Sequence, residues 1–396
     1  MSSSAWGRAL GALYGLAIGD ALGMPTQSFP RAEVVRRHGS VLSGFEPGPP
    51  DQPLAPGLAA GSVTDDTEQA LILAESLIDG GGRIDPAAFA RRLVAWEDSM
   101  RRRGSSDLLG PSTRRAVTEL LAGAPPDQSG RLGATNGAAM RVTPVGVAVR
   151  PGPGLIDAVV AASEVTHNTS VALAGAAAVA AAVSAGVDGA GVDGVVAAAR
   201  AARDAARAAV VRGHWLAAAD VSARIDWLGG LLAPSWNNRR AESAAPAIRR
   251  AATSPNQPHV IEPSGASAAG MIDTTGPSLG GPPGTGLSGR AGLTQPDVIG
   301  LVCELVGTSL ATQESVPAAF ACALAHGDDP WLAVRVAASL GGDCDTIAAM
   351  TGAILGACHG FEAFPAAARE TVAEVNGLTL EPVARALLAL RERGAP

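Results

Sequence analysis

The sequence predicts an all-α fold in a single domain, and three observations carry this. Apolar residues recur at helical spacing along most of the chain, whereas period-two alternation is scarce; its best short case is VGVAVR at 145–150. Hydrophobic residues make up 47% and charged residues 17%, the balance of a chain that buries a core. Aromatic residues are only 3%, so that core must be built from Ala, Val and Leu, whose small side chains let helices approach closely.

The elements follow in order. The N-terminal helix carries Gly7, Gly11, Gly15 and Gly19 every four residues, a stripe suited to close helix packing. Its segment LGALYGLAIG reads as an amphipathic helix and not as a signal sequence, because Asp20 follows closely and the region before it is nearly uncharged. A Pro-rich loop, 46–57, leads to a helix over 67–79, with Asp65 and Glu68 at capping-box spacing and Gly80–Gly82 ending it. Further helices are expected at 86–103, 112–122, 155–186, 193–212, 296–311, 314–326, 330–340, 346–358 and 365–393. The Ala-rich run after Val171 is long enough to cross a membrane, but it holds little Leu, Ile or Phe, so burial in a helical core is expected. Residues 233–293, rich in Pro, Gly, Ser and Ala, read as an insertion, either bordering the site or looping over the surface.

Composition also removes function classes. There is no lysine, which excludes lysine Schiff-base chemistry and lysine phosphate loops. A net charge of −7 argues against a nucleic-acid-coating protein. The four cysteines, Cys303, Cys322, Cys344 and Cys358, form no C-x-x-C pair, which fits a reducing cytoplasm better than a zinc cluster or a disulfide framework.

Two stretches carry the chemistry. SVTDDTEQALILAESL at 62–77 sets Asp65 and Asp66 between threonines where an apolar helix begins, and LGGDCDTIAAMTGAILGA at 340–357 repeats the arrangement with Asp343, Asp345 and Thr346. On a continuous helix Asp343 and Asp345 would point about 200° apart. Gly341–Gly342 offers an unusual backbone turn that turns both inward before the helix. A helix N-terminus favours one negative charge by only about 0.3–1 kcal/mol, which accounts for one aspartate per helix and not for four in one cleft. Two divalent cations would balance four carboxylates, and all-oxygen ligation with threonine hydroxyls suits Mg²⁺ or Mn²⁺. The plainer alternative makes each aspartate a helix cap and nothing more.

These residues resemble the ADP-ribosylglycohydrolase family. The likeness rests on GLAIGDALGMPTQ (15–27), TDDTEQALILAESL (64–77), TNGAAMRVTPVG (135–146), THNTSVALAGA (166–176) and GGDCDTIAAMTGAILGA (341–357), and spans most of the chain outside 213–296. It implies a compact orthogonal helical bundle with a binuclear magnesium centre, manganese being the alternative. By motif match Thr64, Asp65, Asp66, Asp343, Asp345 and Thr346 would be the ligands. The implied reaction is hydrolysis of the bond between ADP-ribose and an acceptor, either a protein side chain such as Arg or Ser or a small ADP-ribosyl compound. Neither a nucleic acid nor a membrane is an expected partner. Its transition state would be oxocarbenium-like, so nearby carboxylates, Asp66 and Asp343 among them, would also stabilise developing positive charge.

The other motifs supply substrate contacts. Asn136, Gly137, Ala138 and Met140 form a small-residue turn suited to a diphosphate, and Arg141 either pairs with phosphate or closes a salt bridge. His167, expected within a helix, is either a ligand contact or a core histidine. In SSDLLGPSTRRA, Asp107 is a candidate general base or water-positioner, or else caps the helix after Pro111. Gln27 stands where the family usually has glutamate, and glutamine cannot act as a base. That departure keeps two alternatives open: hydrolysis of another ribosyl compound, such as a nucleoside or specialised metabolite, or ADP-ribose binding without catalysis. Cys344, between the ligand aspartates, is expected to be a buried filler.

Overall fold

A computed structural model describes residues 4–102, 109–189, 194–236 and 295–394. By contacts the chain divides into a helical body, Met1–Pro234 with Leu293–Pro396, and a second unit, Ser235–Gly292. Every described helix belongs to the body. The expected insertion at 233–293 lies, from residue 237 on, outside the described residues, as does Asp107. Among the described residues there is no β-strand, only two isolated bridges, Thr135 with Ala311 and Thr169 with His214.

The first half runs through α1 (Ala5–Gly23), α2 (Arg31–His38), α3 (Asp65–Asp79), α4 (Pro86–Arg102), α5 (Pro111–Leu121), α6 (Pro126–Ser129), α7 (Gly137–Arg141), α8 (Thr143–Ala148) and α9 (Pro153–Ser163). The second runs through α10 (Ser170–Asp188), α11 (Gly194–Ala209), α12 (Val221–Leu232), α13 (Gln295–Leu301), α14 (Thr312–Ala325), α15 (Pro330–Ala338), α16 (Cys344–His359), α17 (Ala366–Asn376) and α18 (Leu380–Glu392). A π turn, Val302–Val306, ends α13.

The glycine stripe of α1 packs on α16 at backbone contact. A Cβ on Gly15 would stand 2.0 Å from the Gly352 carbonyl oxygen, and one on Gly19 the same distance from that of Ala348. Gly11 faces Gly356 and Gly23 faces Asp345 in the same way. No residue with a side chain fits this seam, so the pair is fixed in register. Helix α10 is the other core element. It is long and apolar enough to cross a membrane, but 94% of its apolar window is buried inside the protein, as a core helix requires. At the C-terminus the guanidinium of Arg391, only 3% exposed, gathers the carbonyls of Gly146, Val147 and Ser184 and pairs with Asp188 at 2.7 Å.

Several expected boundaries move. The first four residues of VGVAVR are not extended: they end α8, with Pro144 in its first turn and Thr143–Val149 buried throughout, so alternation had no solvent face to report. The helix expected at 155–186 is two, because Thr169 caps α10 by accepting from Ala172 N–H and the Asn168 N–H turns to the Gly130 carbonyl at 2.8 Å. Gly307, at φ 96°, ends the helical run expected to reach 311, and Gly377, at φ 63°, splits 365–393 into α17 and α18.

Candidate functional site

Helices α3 and α16 meet at their N-termini, both packed against α1. Thr64, not Asp65, is the N-cap of α3, and its side chain makes no capping bond. The cap comes from another helix. Asp20 of α1, fully buried, accepts from the backbone N–H of Thr64 (3.0 Å) and of Thr67 (3.0 Å), and from the hydroxyls of Thr64 (2.7 Å) and Thr67 (2.5 Å). The capping box expected from Asp65 and Glu68 is therefore absent. Asp65 accepts instead from Gln69 Nε2 at 2.7 Å, and Glu68 accepts from the Trp96 indole N–H.

On the other side, Gly341 and Gly342 have φ of 77° and 68°, the left-handed conformation that frees Asp343 and Asp345 from a helical spread. The turn is held by both neighbours. Ser28 N–H donates to the Gly342 carbonyl at 2.6 Å, Gly342 N–H to the Phe29 carbonyl at 2.9 Å, and Asp343 N–H to the Thr308 carbonyl at 2.7 Å. Gln27 thus sits on a turn stitched to the one that presents Asp343.

The two motifs converge. Thr346 Oγ1 donates to Asp66 Oδ2 across the helix pair at 3.2 Å. Asp66 and Asp345 are buried, with 0% and 3% exposure, and Oδ1 of each has no hydrogen-bond partner. Asp65 and Asp343 are partly exposed at the rim. Burial first, then the neighbouring Asp345, raises the Asp66 carboxyl well above the usual aspartate range; burial and then Asp343 do the same to Asp345. Burial pushes Asp20 and Asp343 up to about 6 against the hydrogen bonds that favour their charged forms.

This donor set fits a hard divalent cation. Orphaned buried carboxylate oxygens beside like charge are costly in protein alone and become favourable on a cation. Every candidate donor is oxygen, from carboxylates and threonine hydroxyls. Among the described residues no group of three or more His, Cys, Asp or Glu side chains is placed to hold a metal ion as it stands, so the fit is one of donor chemistry. Cys344 stays out of it: fully buried, it contacts Thr26 Oγ1 at 3.3 Å, and burial pushes its thiol up.

The remaining candidates fall into two groups. Asn136 joins the cluster: its Nδ2 donates to Asp343 Oδ2 and to Ser315 Oγ (3.0 Å), and its N–H to the Leu310 carbonyl (2.9 Å). Gln27 is 4% exposed with its Nε2 unpartnered. Gly137 opens the short helix α7 and is held small by His167, since a Cβ there would meet the imidazole Cε1 at 2.8 Å. Ala138 and Met140 are buried on that helix. Arg141 is 0% exposed, donates to Thr166 and Gln69, and lies over the Phe89 ring, so in this arrangement it braces α7 and offers no open face to a phosphate. Its burial lowers it to about 10, with Asp65 opposing.

His167 lies between α9 and α10, not within a helix. Its ring bridges Thr135 Oγ1 (2.9 Å) and Thr166 Oγ1 (2.8 Å), and burial followed by Arg141 holds it well below the usual histidine range, so it is neutral. Asp20 and Thr67, though inside the quoted motifs, were given no role in the site by sequence reading. The available signal was a lone carboxylate near the end of a largely apolar, glycine-striped helix.

Comparison with known proteins agrees with this architecture. The ADP-ribosylglycohydrolase family profile matches residues 1–396. The Escherichia coli K12 protein YegU is 32% identical over 98% of both chains. The ADP-ribosyl-dinitrogen reductase glycohydrolase of Rhodospirillum rubrum is 32% identical over 41% of this chain and 51% of that protein. An ADP-ribosylarginine hydrolase of Pseudomonas putida GB-1 is 40% identical over 28% of this chain and 27% of its own. Among solved structures, an ADP-ribosylglycohydrolase-related protein complex superposes with a TM-score of 0.53 over 99% of both chains at 23% identity, a likeness of fold. The all-α body is thus of the glycohydrolase class that the family profile names. The chain belongs to the ADP-ribosylglycohydrolase family.

Proposed function

We propose that this protein is a divalent-cation-dependent hydrolase of the glycosidic bond between ADP-ribose and an acceptor, with an ADP-ribosylated protein side chain as the leading substrate class. The observation that carries the reading is the pair of buried, unpartnered Oδ1 atoms on Asp66 and Asp345, brought together from motifs nearly 280 residues apart in sequence. Thr64, Asp65, Asp66, Asp343, Asp345 and Thr346 would hold two Mg²⁺ ions, with Mn²⁺ able to replace them. Bound there, the cations would supply Lewis acidity and lower the pKa of a coordinated water. The chain supplies position and charge. Thr346 and Asn136 fix Asp66 and Asp343, and the carboxylates face the positive charge that grows at the anomeric carbon. The arginine and dinitrogen reductase linkages named for two relatives make an ADP-ribosylated arginine the first substrate to try.

The unpartnered Gln27 amide, on the turn stitched to Asp343, supports a second reading: an acceptor other than arginine, whose own carbonyl or hydroxyl takes that hydrogen bond. Both are tested by titrating ADP-ribose calorimetrically with and without Mg²⁺, then analysing products from Arg-, Ser- and O-acetyl-linked ADP-ribose. Mg²⁺-dependent binding with cleavage of the arginine linkage supports the first reading. Cleavage of another linkage alone supports the second. Binding without any turnover overturns both in favour of a non-catalytic ADP-ribose binder.

A further inference from the structure

We propose that Asp20 is a positioning residue for the cation site: a carboxylate on α1 that binds no cation itself but aims Thr64 and the first turn of α3 at it. The inference rests on the reading of Thr64, Asp65 and Asp66 as cation ligands. The N-terminus of α3 has a cap without a capping side chain, and the orphan N–H groups there need an acceptor. Asp20 provides it from a different helix, taking the N–H groups of Thr64 and Thr67 and both hydroxyls. Four donors saturate the carboxylate, so it has no strong direction left for a cation. The Thr64 hydroxyl donates to Asp20 at 2.7 Å, a shorter bond than its 3.5 Å approach to Asp66 Oδ2, which leaves the Thr64 oxygen lone pairs for ligation. Asp20 sits on α1 between Gly19 and Gly23, which lie against Ala348 and Asp345 of α16. One rigid helix therefore sets α3 through Asp20 and α16 through its glycines, and fixes the spacing between the two ligand pairs.

A buried aspartate could serve the fold alone, so the test reads cation binding by folded protein. Mn²⁺ is titrated into the wild type and the Asp20→Asn, Thr67→Val and Thr67→Ser variants, well below each melting temperature, with affinity from calorimetry and ligand geometry from the Mn²⁺ paramagnetic resonance spectrum. Positioning partners of this kind are worth roughly ten- to a hundredfold in metal affinity. Asp20→Asn is expected to weaken Mn²⁺ by at least about tenfold and to alter the spectrum. Thr67→Val should weaken it less, and Thr67→Ser, which keeps the hydroxyl, should bind as wild type does. A folded Asp20→Asn variant with lowered stability but wild-type Mn²⁺ affinity and spectrum overturns the proposal and leaves Asp20 a structural cap. If Asp20→Asn does not fold, equal Mn²⁺ binding by Thr67→Val and Thr67→Ser overturns it. No Mn²⁺ binding by the wild type overturns the cation reading itself, and this inference with it.

Discussion

Gly23 and Asp345 touch backbone to backbone: a Cβ on Gly23 would stand 2.2 Å from the Asp345 Cα and 2.5 Å from its amide nitrogen. The small-residue stripe and the carboxylate cluster are therefore one feature. Gly23→Ala has no flexible side chain to push aside and must move α16. Overpacking typically costs about 1–3 kcal/mol, which a thermal melt would show as a lower Tm. Because the moved residue is Asp345 itself, Mg²⁺-dependent stabilisation should fall as well. Gly15→Ala, meeting Gly352 far from the carboxylates, should cost similar stability and leave cation affinity in the folded protein unchanged.

Asp345→Asn should stabilise the metal-free protein. Burial and Asp343 raise the Asp345 carboxyl above its unfolded value, so its favourable contribution is present at acid pH and is lost as pH rises through the folded value. At neutral pH the charge is a cost that the amide lacks. The expected result is a higher Tm without metal and a smaller rise on adding Mg²⁺. A variant that melts lower than wild type in a chelator would mean that the cluster is not under charge strain.

Asn136→Ala should free Asp343 from its hydrogen-bonded position in the site. Its buried side chain bridges the partly exposed Asp343 and the buried Ser315. Leaving buried partners unsatisfied costs about 1–3 kcal/mol, measurable by urea unfolding. The same variant should lose activity against ADP-ribosyl-arginine more than it loses stability, because Asp343 is released from its bound rotamer.

Stability should fall with acid partly through His167. Burial holds the folded imidazole well below its unfolded value of 6.5, so the unfolded chain binds the extra proton and stability is lost as pH falls below about 6.5. His167→Gln removes that proton uptake while costing hydrogen bonds to Thr135 and Thr166. The stability gap between the two proteins, from urea unfolding, should be widest near pH 7 and narrow toward pH 5. A constant gap would mean that His167 binds its proton equally in the folded and unfolded chains.

The all-α class, the glycine stripe and the two aspartate motifs were legible in the sequence because each is written in local spacing: a four-residue repeat, an apolar period, a glycine pair before two acids. The left-handed φ of Gly341 and Gly342 follows from the same local grammar. Other features were decided only by tertiary packing. Residues 145–148 of VGVAVR became part of the helix α8 because these residues are buried on every side, which erases the difference between the two periods. The helix expected over 155–186 broke at THN because the Gly130 carbonyl and the Thr169 cap took its backbone groups. Arg141, chemically suited to a phosphate, was spent on Thr166, Gln69 and the Phe89 ring. Asp20 was hidden in the sequence because its partners, Thr64 and Thr67, lie more than forty residues away. A carboxylate that caps another helix leaves no spacing to read, and only the docking of α1 on α3 gave it one.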